Sequence, residues 1–139
     1  MSERHARQRI GRSISALFAG FVAGVILSVG TDIALHTAGI FPALAQPMSN
    51  GLLLLATVYR VVYSIAASYI TARLAPDHPM THALALGVAG LVVNIAGAVA
   101  TWNKGPAFGP HWYPLALIAL AMPCAWLGGV IHRARHNRR

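Results

Sequence analysis

Asp32 and His36 lie one helical turn apart near the end of an apolar run that reads SVGTDIALH over residues 28–36. A carboxylate and an imidazole at that spacing can share a proton or orient one another. Arg60 stands inside the next apolar run, in YRVVY, and Asn94 inside the third, in LVVNIAG. A guanidinium facing a carboxylate makes a planar, two-point ion pair. With His36 added, the same group becomes a proton-handling or anion-binding site. Which chemistry applies depends on the elements that carry these residues.

Those elements are set by the apolar pattern. Of 139 residues, 56% are hydrophobic and only 10% charged, and the mean hydropathy is +0.57. These values exclude an ordinary soluble domain. The apolar residues fall into four runs, 14–36, 51–73, 82–102 and 112–131, separated by segments rich in Pro, Gly, Asn and Arg. Each run holds about 20 residues, which as a helix rising about 1.5 Å per residue crosses a hydrocarbon layer of roughly 30 Å. The sequence therefore predicts an all-α integral membrane four-helix bundle, a single domain over residues 1–139 with short basic tails. Strict alternation suited to a membrane β-barrel is missing.

Orientation follows from the basic residues. Arg4, Arg7, Arg9 and Arg12 precede the first run, Arg73 closes the second, and Arg133, Arg135, Arg138 and Arg139 follow the fourth. Lys104 alone lies in the opposite loops. The positive-inside bias puts both termini in the cytoplasm. The net charge of +8 is then mostly topological and draws the tails toward anionic lipid, each basic residue contributing about 1 kcal/mol near the surface. The arginines flank spans and no recognition module accompanies them, so nucleic acid is not an expected partner. Ala43–Ala45 ahead of Gln46 resembles a signal-peptidase site, but the apolar run before it is too long for a typical signal, and an uncleaved first helix is expected.

Ser49 and Asn50 suit the start of the second helix, and Pro79 the first turn of the third. Trp102, Trp112 and Tyr113 fall where an outer aromatic belt belongs. Small residues that let helices approach closely recur at Gly20 and Gly24, at Gly87, Gly90 and Gly97, and along Ala121, Ala125 and Gly129. Pro123 should free the carbonyl near Ala119 and bend the fourth helix.

Counted from the helix ends at about 1.5 Å per residue, Asp32, Arg60 and Asn94 sit roughly 9, 13 and 12 Å below one surface. An isolated charge deep in a membrane costs about 2.5–3.5 kcal/mol, so pairing of Asp32 with Arg60 is expected. Ser28 and His36 extend a polar stripe about Asp32, Tyr63 packs beside Arg60, and Asn94 takes a spare donor. Tyr59 and Tyr69 read as packing and interface residues. His78 and His82, with Asp77 nearby, read as turn and cap residues rather than metal ligands, and Cys124 as a buried, inert thiol. No phosphate loop, HExxH, GxSxG or dinucleotide fingerprint occurs.

Four short helices with an acid in the first resemble the small multidrug resistance transporters, dimers built around a membrane-buried glutamate. Here the acid is an aspartate nearer the outer end and has Arg60 as a counter-ion, so the likeness stops at size. The segments TDIALH, YRVVY, TARLAP, WNKGP and WYP resemble an uncharacterised group of small four-helix bacterial inner-membrane proteins. That resemblance implies the location and brings no activity with it.

The expected function is that of a polytopic bacterial inner-membrane protein, a structural or accessory subunit or one that self-associates, without cofactor or metal. The first alternative is an oligomeric transporter of a small solute, ion or proton using Asp32, Arg60 and His36. The lesser alternative is a membrane enzyme with an outer-face Asp–His site.

Overall fold

In the computed structural model, which describes residues 2–138, a side-chain cap fixes the start of one helix and a proline opens another. Arg139, counted above in the basic tail, lies outside the described residues. The elements are α1 (Ser2–Thr37), α2 (Asn50–Leu74), α3 (Pro79–Thr101), a short 3-10 turn (Pro106–Phe108) and α4 (Trp112–His136). All four helices are long and apolar enough to cross a membrane, and no strand occurs among the described residues. The Ser49 hydroxyl accepts from the Leu52 amide at 3.4 Å and fixes the start of α2. Pro79 opens α3 behind His78, whose backbone is left-handed at φ 46°.

Three boundaries differ from the sequence expectation. α1 begins twelve residues before position 14, at Ser2. The segment SERHARQR contains no proline and is rich in helix-favouring side chains, so nothing stops the helix at the edge of the apolar run. Its Arg9 reaches Asp77 in the α2–α3 turn at 3.4 Å, with both side chains exposed. α3 starts three residues earlier than position 82, at Pro79. α4 continues five residues past 131, and it remains helical through Pro123.

Small residues form the interior. Ala16, Ala56, Ala67, Ala72, Ala83, Ala98 and Ala125 are buried, whereas Phe18, Ile33, Val92, Val99 and Leu115 lie on the outside. α2 is central and packs against each of the other helices. On α1, a Cβ at Gly20 would stand 2.7 Å from the Ala67 carbonyl oxygen and overlap Thr71, and one at Gly24 would touch Ala67 at 3.3 Å. The Thr71 hydroxyl donates back to the Ala16 carbonyl at 3.2 Å. These contacts hold α1 to α2 at backbone distance.

α4 uses two adjacent glycines for two partners. Gly128 lies against α2, where a Cβ would meet the Ile65 carbonyl and Ser68 Cβ at 2.6 Å. Gly129 lies against α3, where it would meet Met80 Sδ at 2.6 Å. Gly87 on α3 faces Ala125 and Met122 of α4. The glycines expected to extend that seam do not do so within the chain, because no atom lies within 4 Å of a Cβ at Gly90 or Gly97. At about 100° per residue these two lie roughly 60–80° round the helix from Gly87 and roughly 40–60° from Asn94, which face α4. Gly90 instead borders a cleft between the helices.

Overpacking a tight seam costs about 1–3 kcal/mol. Gly128→Ala and Gly20→Ala should therefore each lower the thermal midpoint in detergent, and Gly97→Ala should leave it unchanged or raise it. Equal effects at all three positions would contradict this account of the seams.

Candidate functional site

α1 and α2 run antiparallel through the loop at 38–49, and this brings Asp32 opposite Tyr59 and Arg60. Arg60 Nη2 donates to Asp32 Oδ2 at 2.5 Å. The Tyr59 hydroxyl donates to the other carboxylate oxygen. Residues 59 and 60 point about 100° apart on a helix, so they approach the carboxylate from two sides. On the far side of the guanidinium, Nη1 donates to the hydroxyl oxygen of Tyr113, in the first turn of α4. The Arg60 guanidinium carbon lies 5.9 Å from the Tyr59 ring centre and 5.8 Å from that of Tyr113, within cation–π range of both.

Three helices are thus tied through one charge pair. The side chains of Asp32 and Arg60 retain 26% and 29% of their accessible surface. Their partial exclusion from solvent makes each a costly group if left alone. A second link runs beside the first. The Thr31 hydroxyl donates to its own helix at Leu27 O, 2.8 Å away. Its single proton is then used, so the 2.8 Å contact with Tyr63 has the Tyr63 hydroxyl as donor. Tyr63 also packs tilted on Tyr59 with ring centres 5.8 Å apart.

The other polar residues expected nearby go elsewhere. His36 does not meet the Asp32 carboxylate. Its Nδ1 lies 2.7 Å from the Asp32 backbone carbonyl, which can only accept, so that nitrogen carries the proton. The ring meets Phe41 edge-on at 5.4 Å. The reason is geometric: a residue one turn later reaches back to the carbonyl, while the carboxylate is turned across to α2. Asn94 does not take a spare Arg60 donor either. Its amide donates to the Leu117 carbonyl of α4 at 3.3 Å, which follows from the α3–α4 seam. Tyr63 bonds α1 rather than the guanidinium.

Ser28, Arg60, Ser64, Gly90 and Asn94 border one cleft of about 300 Å³, whose remaining walls are mainly apolar. Among the described residues, no three His, Cys, Asp or Glu side chains group closely enough to hold a metal ion. His82 Nδ1 lies 3.2 Å from the His78 carbonyl, an ordinary first-turn contact. Cys124 is buried.

Sequence reasoning overlooked Tyr59, Tyr113 and Thr31 as members of the cluster. Tyr59 carried a signal in its position beside Arg60. Tyr113 did not, because residue counting places it at a helix end, far from the level of Arg60. Only the length of both side chains lets phenol and guanidinium meet. Both carboxylate oxygens accept a hydrogen bond and both terminal guanidinium nitrogens donate one, while the imidazole is bonded to the backbone. Such a group ties three helices together.

No family model matches the chain, and neither a curated protein nor a solved structure is similar to it.

Asp32→Asn and Arg60→Gln should each lower stability by about 2–3 kcal/mol, somewhat less than for a fully buried pair, since each strands its partner. The exchanged pair, Asp32→Arg with Arg60→Asp, should recover part of that loss. His36→Gln should cost about 1 kcal/mol or less, the value of one hydrogen bond. Thermal unfolding and expression level in detergent extracts measure all four; an exchanged pair no better than the worse single variant contradicts the clamp.

Proposed function

We propose that the chain is a small polytopic protein of the bacterial inner membrane, with both termini cytoplasmic, whose role is structural or accessory and not catalytic. The observation that carries this reading is the Asp32–Arg60 cluster, in which both carboxylate oxygens and both terminal guanidinium nitrogens have a partner within the chain. Its effect is to fix α1 and α4 on α2. Small residues inside and large apolar residues outside suit a bundle whose surroundings are lipid chains. The basic ends of the helices support cytoplasmic termini and contact with anionic lipid. Unfilled α3 glycines leave room for a second copy or another membrane protein as partner.

A second reading has one observation in its favour. The cleft bordered by Arg60, Asn94 and three serines could form part of a path for a small solute or ion in an oligomer. The enzyme reading loses its support with the separation of His36 from the Asp32 carboxylate.

Cysteines introduced singly at Ser49, Lys104 and Arg138 test the orientation, since the native Cys124 is buried and should react slowly. In intact cells an impermeant maleimide should label positions 49 and 104, and position 138 only after permeabilisation; the reverse pattern overturns the topology. Purification in mild detergent should recover the chain with a second copy or another membrane protein. Solute flux in reconstituted vesicles that disappears in Asp32→Asn, with folding intact, would favour the transporter reading instead.

A further inference from the structure

The end of the bundle opposite the ion pair carries a groove of about 540 Å³ between the start of α3 and the end of α4. His78, Met80, Gly129, His132, Arg133 and His136 border it. Gly129 of α4, which lies against Met80 of α3, borders the groove. His132 and His136 lie one turn apart with near-parallel rings, centres 6.1 Å apart. Tyr69 of α2 meets His132 edge-on at 5.8 Å, and the Arg135 guanidinium lies over Tyr69 at 5.7 Å. The groove is therefore a side-chain assembly built from α3 and α4 and backed by α2.

Among the described residues, its basic side chains have no acidic side chain beside them. The chain holds three acidic residues. Asp32 is engaged by Arg60 at the other end, Asp77 faces Arg9, and Glu3 lies in the first turn of α1. None borders the groove. The histidines do not form a cation site, because among the described residues no three potential metal ligands come close enough together. What remains is a set of N–H donors from three imidazoles and a guanidinium, carried by the start of α3 and the end of α4. The start of α3 adds to the same sign, since no side chain caps it.

We propose that this groove binds a phosphate group, either in the headgroup of an anionic lipid or as a soluble phosphate. A tetrahedral phosphate presents several acceptor oxygens in diverging directions, which suits donors arriving from separate helices, and charge-assisted bonds to it are the strong kind. The lipid source rests on the membrane orientation proposed above, whereas the soluble source does not.

The full-length protein, purified in detergent, is tested by native mass spectrometry with phosphatidic acid, phosphatidylglycerol and phosphatidylcholine, and separately with inorganic phosphate. Phosphatidic acid should be retained several-fold more than phosphatidylcholine, as charge-assisted pairing requires. Arg133→Gln with His136→Gln should reduce retention about tenfold, the effect of losing roughly one strong charged hydrogen bond. Arg4→Gln with Arg7→Gln, which removes charge outside the groove, should change retention less than about twofold, as expected for exposed charges screened by salt. His136→Gln alone, at an exposed helix end, keeps the test valid if the double variant unfolds, and it should show part of the loss. Lipid that stays bound in millimolar phosphate identifies the headgroup as the source; lipid displaced by phosphate that itself binds identifies soluble phosphate. Equal retention of all three lipids with no phosphate binding overturns the proposal, as does equal loss in the Arg4/Arg7 variant. Because binding is read in detergent, an inverted labelling pattern would overturn the orientation without touching this result.

Discussion

One carboxylate in an apolar bundle constrains the rest of the structure. Asp32 cannot stand unpartnered in that setting without a cost of several kcal/mol, so the fold must deliver donors to it. It does so from two consecutive residues of α2, and the guanidinium then recruits Tyr113 from α4. A buried pair of this kind adds little net stability compared with apolar packing, but breaking it is expensive. Its main consequence is specificity: one register of α1 and α4 on α2 brings the carboxylate, the guanidinium and the two phenols together.

Close approach makes that arrangement possible. The ion pair lies toward the end of the bundle where the α1–α2 loop closes, and Gly20 and Gly24 draw α1 onto α2 along the rest of its length. Gly128 and Gly129 do the same for α4 against two neighbours. With large apolar side chains kept outside, backbone proximity and a few polar contacts replace the large-residue core of a soluble domain. The two ends of the bundle then differ in character. One is electrically satisfied by its own residues. The other leaves an imidazole-and-arginine rim with no acidic side chain beside it among the described residues.

Much of the architecture was legible in the sequence because length and hydropathy suffice to mark long apolar helices, and Ser49 and Pro79 mark two of their starts. The start of α1 was not, since an apolar run shows where a helix can be embedded and not where good helix formers carry it further. Asp32 and Arg60 could be matched by depth because both charges stand out against apolar neighbours. Tyr59 and Tyr113 could not, because tyrosines are common near helix ends and their hydroxyls carry no pattern of spacing. His36 illustrates the opposite error: i to i+4 spacing brought it near Asp32, but spacing does not say which oxygen a side chain will meet. Gly90 and Gly97 shared a small-residue row with Gly87, and only the crossing of α3 and α4 reveals that they lie to one side of it.

The central claim is that Asp32 and Arg60 act as a single unit, and the coupling energy between them tests it most directly. A double-mutant cycle built from Asp32→Asn, Arg60→Gln and the combined variant, followed by reversible unfolding in mixed micelles, gives that quantity. The account predicts strong non-additivity, with the combined variant no less stable than the worse single one and a coupling of about 1 kcal/mol or more, as for residues in one hydrogen-bonded network. Additive losses would mean that the two side chains contribute independently, and the clamp would be contradicted.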